Sequence, residues 1–156
     1  MALNLFIAYG NNSDQTTALR LQALGGVNGI NVYVPPSHTR AKPFTSLEPQ
    51  ALESLRNADV VLGIVAFGMS DSCRHELNTA KALGRKTIVM AEPAIASHLE
   101  PFFPGSVLVV NPLDPAQAEF GIVEFLKRTE MEQNAKTAVL ALGTLALGLL
   151  IFAPQD

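Results

Sequence analysis

Apolar residues run along most of this chain in short blocks, separated by stretches in which they recur at helical spacing. "LNLFIAY" is apolar except for Asn4 and runs into Gly10 and a polar cluster, which predicts a strand over residues 3–8. Ala18, Leu19, Leu21 and Leu24 then predict a helix over 14–24, with Gly25-Gly26 as its stop. "INVYV" is a short second strand. "PPSHTRAKPFTS" is a loop of twelve residues, long for a connection inside a compact unit. "LEPQALESLRNA" follows as a helix with Pro49 in its first turn.

"DVVLGIVAF" is apolar at odd and even positions alike, as in a strand covered on both faces. "DSCRHELNTAKALG" predicts a helix ended by Gly84, "KTIVMAE" a strand, and "PAIASHLEPFF" a short helix. "SVLVVN" is the fifth strand. "DPAQAEFGIVEFLKR" is a helix with Asp114 as N-cap and Pro115 at its first position. Strands alternating with helices predict an α/β domain with a largely parallel sheet. The expected class is a flavodoxin-like five-stranded parallel sheet covered by helices, plus a C-terminal apolar helix. The pattern divides the chain into a domain over 1–130, a connector over 131–136 and an apolar helix over 137–153.

That last run changes the picture. Its seventeen residues carry no charge, and only two threonines interrupt an apolar and glycine series. At 1.5 Å per residue it spans about 26 Å, at the short end for crossing a bilayer. Apolar residues lie on every side of it, so it has to be buried in lipid or in protein. Lys127, Arg128 and Lys136 precede it, which fits a cytosolic domain attached to a membrane by its tail. Burial in an oligomer core or against the domain is the alternative, and the protein is then cytoplasmic. The N-terminus lacks the basic region and long apolar run of a secretory signal.

Composition narrows the chemistry. The chain has 156 residues, 48% hydrophobic and 16% charged, with a net charge of −3 and no block of like charges. Nothing in it points to a nucleic-acid surface. One cysteine, Cys73, excludes an internal disulfide and a Cys-rich zinc site. His38, His75 and His98 lack metal-ligand spacing, and "HEL" is only part of an HExxH pattern because position 79 is threonine. There is no GxGxxG loop at Gly10 and no P-loop.

Ligands of parallel α/β sheets bind beyond the carboxyl ends of the strands. Residues 9–14, 34–46 and 66–73 converge there, and Glu76 sits about one turn inside the helix that starts at that edge. Spacing alone favours a surface glutamate in the field of the helix dipole, with Asp71 or Ser72 as N-cap. The other reading is a catalytic carboxylate. Cys73 fits a small buried hydrophobe better than a nucleophile. Tyr9 is either a ring-stacking residue or a surface aromatic at the strand end, and Arg74 and Lys42 are either phosphate contacts or solvent-facing charges.

The residues resemble a known family. "LFIAYGNNSD", "GINVYVPPSHTR" and "LRNADVVLGIVAFGMSDSCRHELNTAKALGRKTIVM" are similar to the first strand, BB loop and third-to-fourth-strand segment of TIR (Toll/interleukin-1 receptor) domains of bacterial type. The Ser-x-x-Cys-x-x-Glu-Leu segment is Ser70, Cys73, Glu76 and Leu77 here. The chain departs from the pattern at Ser72, where the family often has tryptophan, at Ala8, where it has serine, and in a BB loop without the usual acidic and glycine markers.

The resemblance implies that Glu76 is the catalytic residue of an NAD glycohydrolase, a hydrolase that releases nicotinamide and forms ADP-ribose or a cyclic isomer. With NAD as substrate rather than cofactor, bound across the loops at the carboxyl edge of the sheet, Tyr9, Gly10, Ser70, Arg74, Lys42 and Phe44 are the expected substrate-binding residues and no metal is expected; the resemblance also implies homo-oligomers formed through TIR–TIR contacts. A role in defence or cell-death signalling belongs to the same implication. Many members cleave nothing and act as assembly or nucleotide-signal-binding modules, which is the alternative. Deoxyribosyltransferase-like N-glycosidases are a second alternative, through Ala58-Asp59, Glu76 and Gly84-Arg85-Lys86. If the apolar tail is an anchor, the full chain resists carbonate extraction from membranes and the chain lacking 137–156 does not. Release of the full chain by carbonate assigns the run to burial in protein.

Overall fold

A strand that is apolar at successive positions needs cover on both sides. The computed structural model describes residues 3–10, 12–27, 30–36, 48–65, 69–104 and 106–110, with 136 and 140 as single positions. In them, β1 (Asn4–Tyr9), β2 (Asn31–Tyr33), β3 (Val60–Val65), β4 (Lys86–Ala91) and β5 (Val107–Val109) alternate with α1 (Asn12–Val27), α2 (Pro49–Asn57), α3 (Asp71–Ala82) and α4 (Pro93–Leu99). Every pairing is parallel, in the order β2-β1-β3-β4-β5. That is the flavodoxin-like order. The chain steps outward from β1 to β2 and then returns past β1 to β3, so the switch point lies between β1 and β3.

Alternation along each strand sorts the core into two halves. Leu5, Ile7 and Tyr9 of β1, Val60, Leu62 and Ile64 of β3, and Ile88 and Met90 of β4 meet Ala18 and Leu21 of α1. Phe6, Ala8, Val61, Val65, Val89 and Ala91 face the other way. They meet Ala51 and Leu55 of α2, Cys73, Leu77 and Ala80 of α3, and Ala96 of α4. The helix with Glu76 and the helix that follows β1 therefore lie on opposite faces.

Hydrogen bonds tie the amino edge together. The Asn4 backbone N–H donates to Asp59 Oδ2 at 2.8 Å, and the Asn31 side-chain amide donates to Asn4 Oδ1 at 3.1 Å. The starts of β1, β2 and β3 are joined by this network. A depression of about 440 Å³ at that edge, lined by Asn4, Asn31, Asn57 and their neighbours, is built around groups already engaged in it.

The structure departs from the sequence expectations at several ends. α1 does not stop at Gly25-Gly26 but runs through both glycines to Val27. Gly25 is there for proximity: a Cβ on it would lie 2.6 Å from Val32 Cγ2 of β2. The Gly25 carbonyl accepts from Ile30 N–H at 2.8 Å as the chain turns into β2. β2 has only three residues, because Pro35 and Pro36 follow and proline cannot donate to a ladder. Pro49 is at the first position of α2, as expected.

α3 ends as the sequence implies. Gly84 has φ of 71°, its N–H donates to Lys81 O, and Arg85 N–H donates to Ala80 O. This is a Schellman closure, which needs the left-handed conformation that glycine adopts freely. The expected helix over 114–128, the apolar run 137–153 and most of the 35–46 loop lie outside the described residues. Among the described residues, no helix is long and apolar enough to cross a membrane.

The two adjacent glycines of α1 give a paired expectation. Gly26 is exposed, and a Cβ there meets nothing within 4 Å. Gly26→Ala therefore stabilises the fold by about 0.5–1 kcal/mol in urea unfolding. Gly25→Ala gains the same propensity but drives its methyl into Val32, so it comes out less stable than Gly26→Ala. Equal gains in the two variants would mean that α1 does not lie this close to β2.

Candidate functional site at the start of the third helix

Ser70 begins the site. Its backbone is extended, and its side chain accepts a hydrogen bond from Cys73 N–H at 3.2 Å. Ser70 is thus the N-cap of α3, in place of the expected Asp71 or Ser72. Asp71 falls in the first turn, exposed, where a negative charge suits the helix dipole. Ser72 is turned inward and buried.

With the register set by Ser70, helical spacing brings Ser72, Cys73, Glu76, Leu77 and Ala80 onto the sheet-facing side. Glu76 is 2% exposed. The expectation of a surface glutamate is therefore overturned. The reason is the periodicity of its own helix, since Cys73 and Ala80 bracket Glu76 at three and four residues on the stripe that packs on the sheet. α3 lies over β1, β3 and β4, so its buried face spans the switch point. Gly63 of β3 lets it lie close, because a Cβ there would stand 3.1 Å from Leu77 Cδ2 and 3.3 Å from Val89 Cγ1.

The remaining sequence candidates separate. Tyr9 is fully buried, and its hydroxyl donates to the Pro35 carbonyl at 2.7 Å. It is a core residue that ties the end of β1 to the start of the long loop, not a surface aromatic. Gly10 is buried, and its N–H donates to Ile64 O at 2.8 Å, extending the β1–β3 ladder past the strand end. Arg74 does not join Glu76. Two residues apart on a helix, they point to different sides, and Arg74 stands exposed with Nη1 3.9 Å from Asp71 Oδ1. Lys42 and Phe44 lie outside the described residues.

Cys73 is fully buried and in no disulfide, so it occupies the core position that its spacing predicts. His75 and His98 are exposed, and among the described residues no group of three His, Cys, Asp or Glu is placed to hold a metal. The sequence does not single out Asp14. It is fully buried in the first turn of α1, directly after β1. The available signal was an acidic residue opening the helix that follows the first strand, which reads equally well as a partner of the helix dipole.

Two carboxylates are thus buried in opposite covering layers, Asp14 on the helix that follows β1 and Glu76 on the helix that follows β3. What Glu76 can do there is electrostatic. A carboxylate held away from water acts strongly on a positive charge that forms beside it.

The TIR domains of the activated Roq1 resistosome that directly recognizes the pathogen effector XopQ are similar to this chain, with a TM-score of 0.48 and 11% sequence identity, covering 94% of this chain and 84% of that chain. No family model matches the sequence, and no curated protein matches it.

The cap gives the expectation here. Ser70→Ala removes the acceptor for Cys73 N–H and lowers stability by about 1 kcal/mol, within the usual 0.5–2 for such losses. Ser70→Asp restores most of it. Urea unfolding of the three proteins measures both effects, and an unchanged midpoint for Ser70→Ala would refute the cap.

Proposed function

We propose that this chain is a TIR-like hydrolase that cleaves NAD at the bond between nicotinamide and ribose, with Glu76 as the catalytic carboxylate. The burial of Glu76 on the sheet-facing side of α3, at the switch point, carries this reading. Taking a carboxylate out of water costs several kcal/mol, on the order of the penalty for a buried ion. Interaction with a helix dipole requires no such burial. The Ser70, Cys73, Glu76 and Leu77 spacing adds the family resemblance.

The chemistry asks for little else. Nicotinamide in NAD is already a cationic leaving group, so it needs no proton. As the bond from ribose C1′ to the ring nitrogen breaks, its electron pair goes to nicotinamide, and positive charge builds on the ribose. Glu76 stabilises that charge and holds the ribose hydroxyls. Water adds to C1′ and loses a proton, giving ADP-ribose, nicotinamide and H⁺. A cyclic isomer forms where a nitrogen of the same molecule's adenine takes the place of water. One carboxylate is enough, whereas most glycosidases need a pair because their leaving group requires protonation.

The loop over 35–46 supplies Lys42 for the pyrophosphate and Phe44 for a ring. Tyr9 contributes through its bond to Pro35, which holds the loop's first residue. Gly10 extends the β1–β3 ladder past the strand end, and Ser70 fixes the start of α3. Copies of the domain assemble through TIR–TIR contacts, and a tail at 137–153 held in a membrane raises their local concentration.

Nicotinamide release from NAD by the full chain in detergent, under conditions that promote assembly, tests the reading. Glu76→Gln and Glu76→Ala are expected to retain the wild-type circular dichroism and to lose about 10²–10³-fold in turnover. Equal turnover in the variants removes Glu76 from its role. No turnover by the assembled wild type leaves the chain as an assembly module. Cleavage of nucleosides but not NAD assigns it to the N-glycosidase alternative.

A further inference from the structure

A concave site lies on the side of α3 toward α4. Between α3 and α4 runs a groove of about 390 Å³ whose lining is mostly apolar, including Leu77, Leu99 and Phe102. Phe102 is 57% exposed, although it is one of the largest apolar side chains in the chain. Three polar side chains border the same groove: Arg74 and Asn78, one turn apart on α3, and His98 of α4. The volume falls in the range of small-molecule sites, which combine an apolar lining with a few convergent polar groups.

We propose that this groove binds a small aromatic or aliphatic molecule that carries an anionic head group. The polar rim sets the sign of the head. Arg74 is permanently cationic and offers a planar fork of donors that suits a carboxylate or phosphate. Asn78 and His98 each supply an N–H donor. Among the described residues, no carboxylate lines the groove.

Asp71 is the acidic neighbour of Arg74, at 3.9 Å and with both side chains well exposed. Exposed pairs of this kind contribute little, so Asp71 does not hold the guanidinium away from an incoming anion. At the far end, Lys81 Nζ lies 5.8 Å from the Phe102 ring centroid and 5.7 Å from that of Phe103. This contact pins the segment after α4 against α3, so the apolar wall is in place before a ligand arrives.

The groove meets the sheet-facing stripe only at Leu77, which is shared between them. Arg74, Asn78 and Lys81 form the side of α3 toward α4, while Cys73, Glu76 and Ala80 face the sheet. The proposal therefore does not depend on NAD cleavage.

The full chain, labelled with ¹³C at isoleucine and leucine methyls, is titrated with naphthalene-2-carboxylate. Two probes of matched shape are run beside it, the neutral naphthalene-2-carboxamide and the cationic 2-naphthylmethylammonium. The expected result is saturable shifts at the Ile95 and Leu99 methyls, with the carboxylate bound about ten-fold more tightly than the cation, as one charge-assisted hydrogen bond provides. Arg74→Gln abolishes that preference without moving the thermal midpoint, and Phe102→Ala weakens all three probes alike. Equal binding of the three probes by the wild type, or no saturable shift at these methyls, overturns the proposal. Groove methyls that shift with protein dilution in the absence of probe overturn it too, because a second copy then fills the groove.

Discussion

How closely α3 lies on β3 determines where the candidate groups stand. The contact centres on Gly63, where a missing side chain lets Leu77 and Val89 come together above the strand. Interiors are packed too tightly to absorb an added methyl without displacement. A helix held this low has to turn three or four consecutive stripe positions into the core, and Glu76 is one of them. The burial of the carboxylate is thus a consequence of helix seating and of its place on the stripe with Cys73, Leu77 and Ala80. It is not a local property of the glutamate.

The two edges of the sheet are treated differently. At the amino edge, Asn4, Asn31 and Asp59 satisfy one another and join three strand starts. At the carboxyl edge, the described residues bond Tyr9 to Pro35, Gly10 to Ile64 and Ser70 to Cys73 as the chain leaves the sheet.

Much of the fold was legible from the sequence because parallel strands buried on both faces leave an unambiguous signature. "DVVLGIVAF" and "KTIVMAE" became β3 and β4 almost residue for residue. Gly84 closed α3 as its position implied. Gly25 misled because glycine has two uses, and the sequence does not say whether it ends a helix or lets one approach a strand. The strand order was not legible, since crossovers of similar length lead to either neighbour. At the site, Glu76 stood out by motif, yet its burial depended on which face of α3 meets the sheet, and the choice of cap among Ser70, Asp71 and Ser72 does not determine that face. Asp14 stayed hidden because an acidic residue in a first turn is ordinary.

Cys73 shares the inward stripe with Glu76 and is wholly covered, with its backbone amide held by the Ser70 cap. A thiol in that position meets a water-soluble alkylating agent only when the start of α3 lifts from the sheet. The chain therefore carries its own clock for that motion. Where alkylation outpaces reclosing, the rate at which its sole sulfhydryl is consumed measures how often that cover opens, three residues before the buried carboxylate.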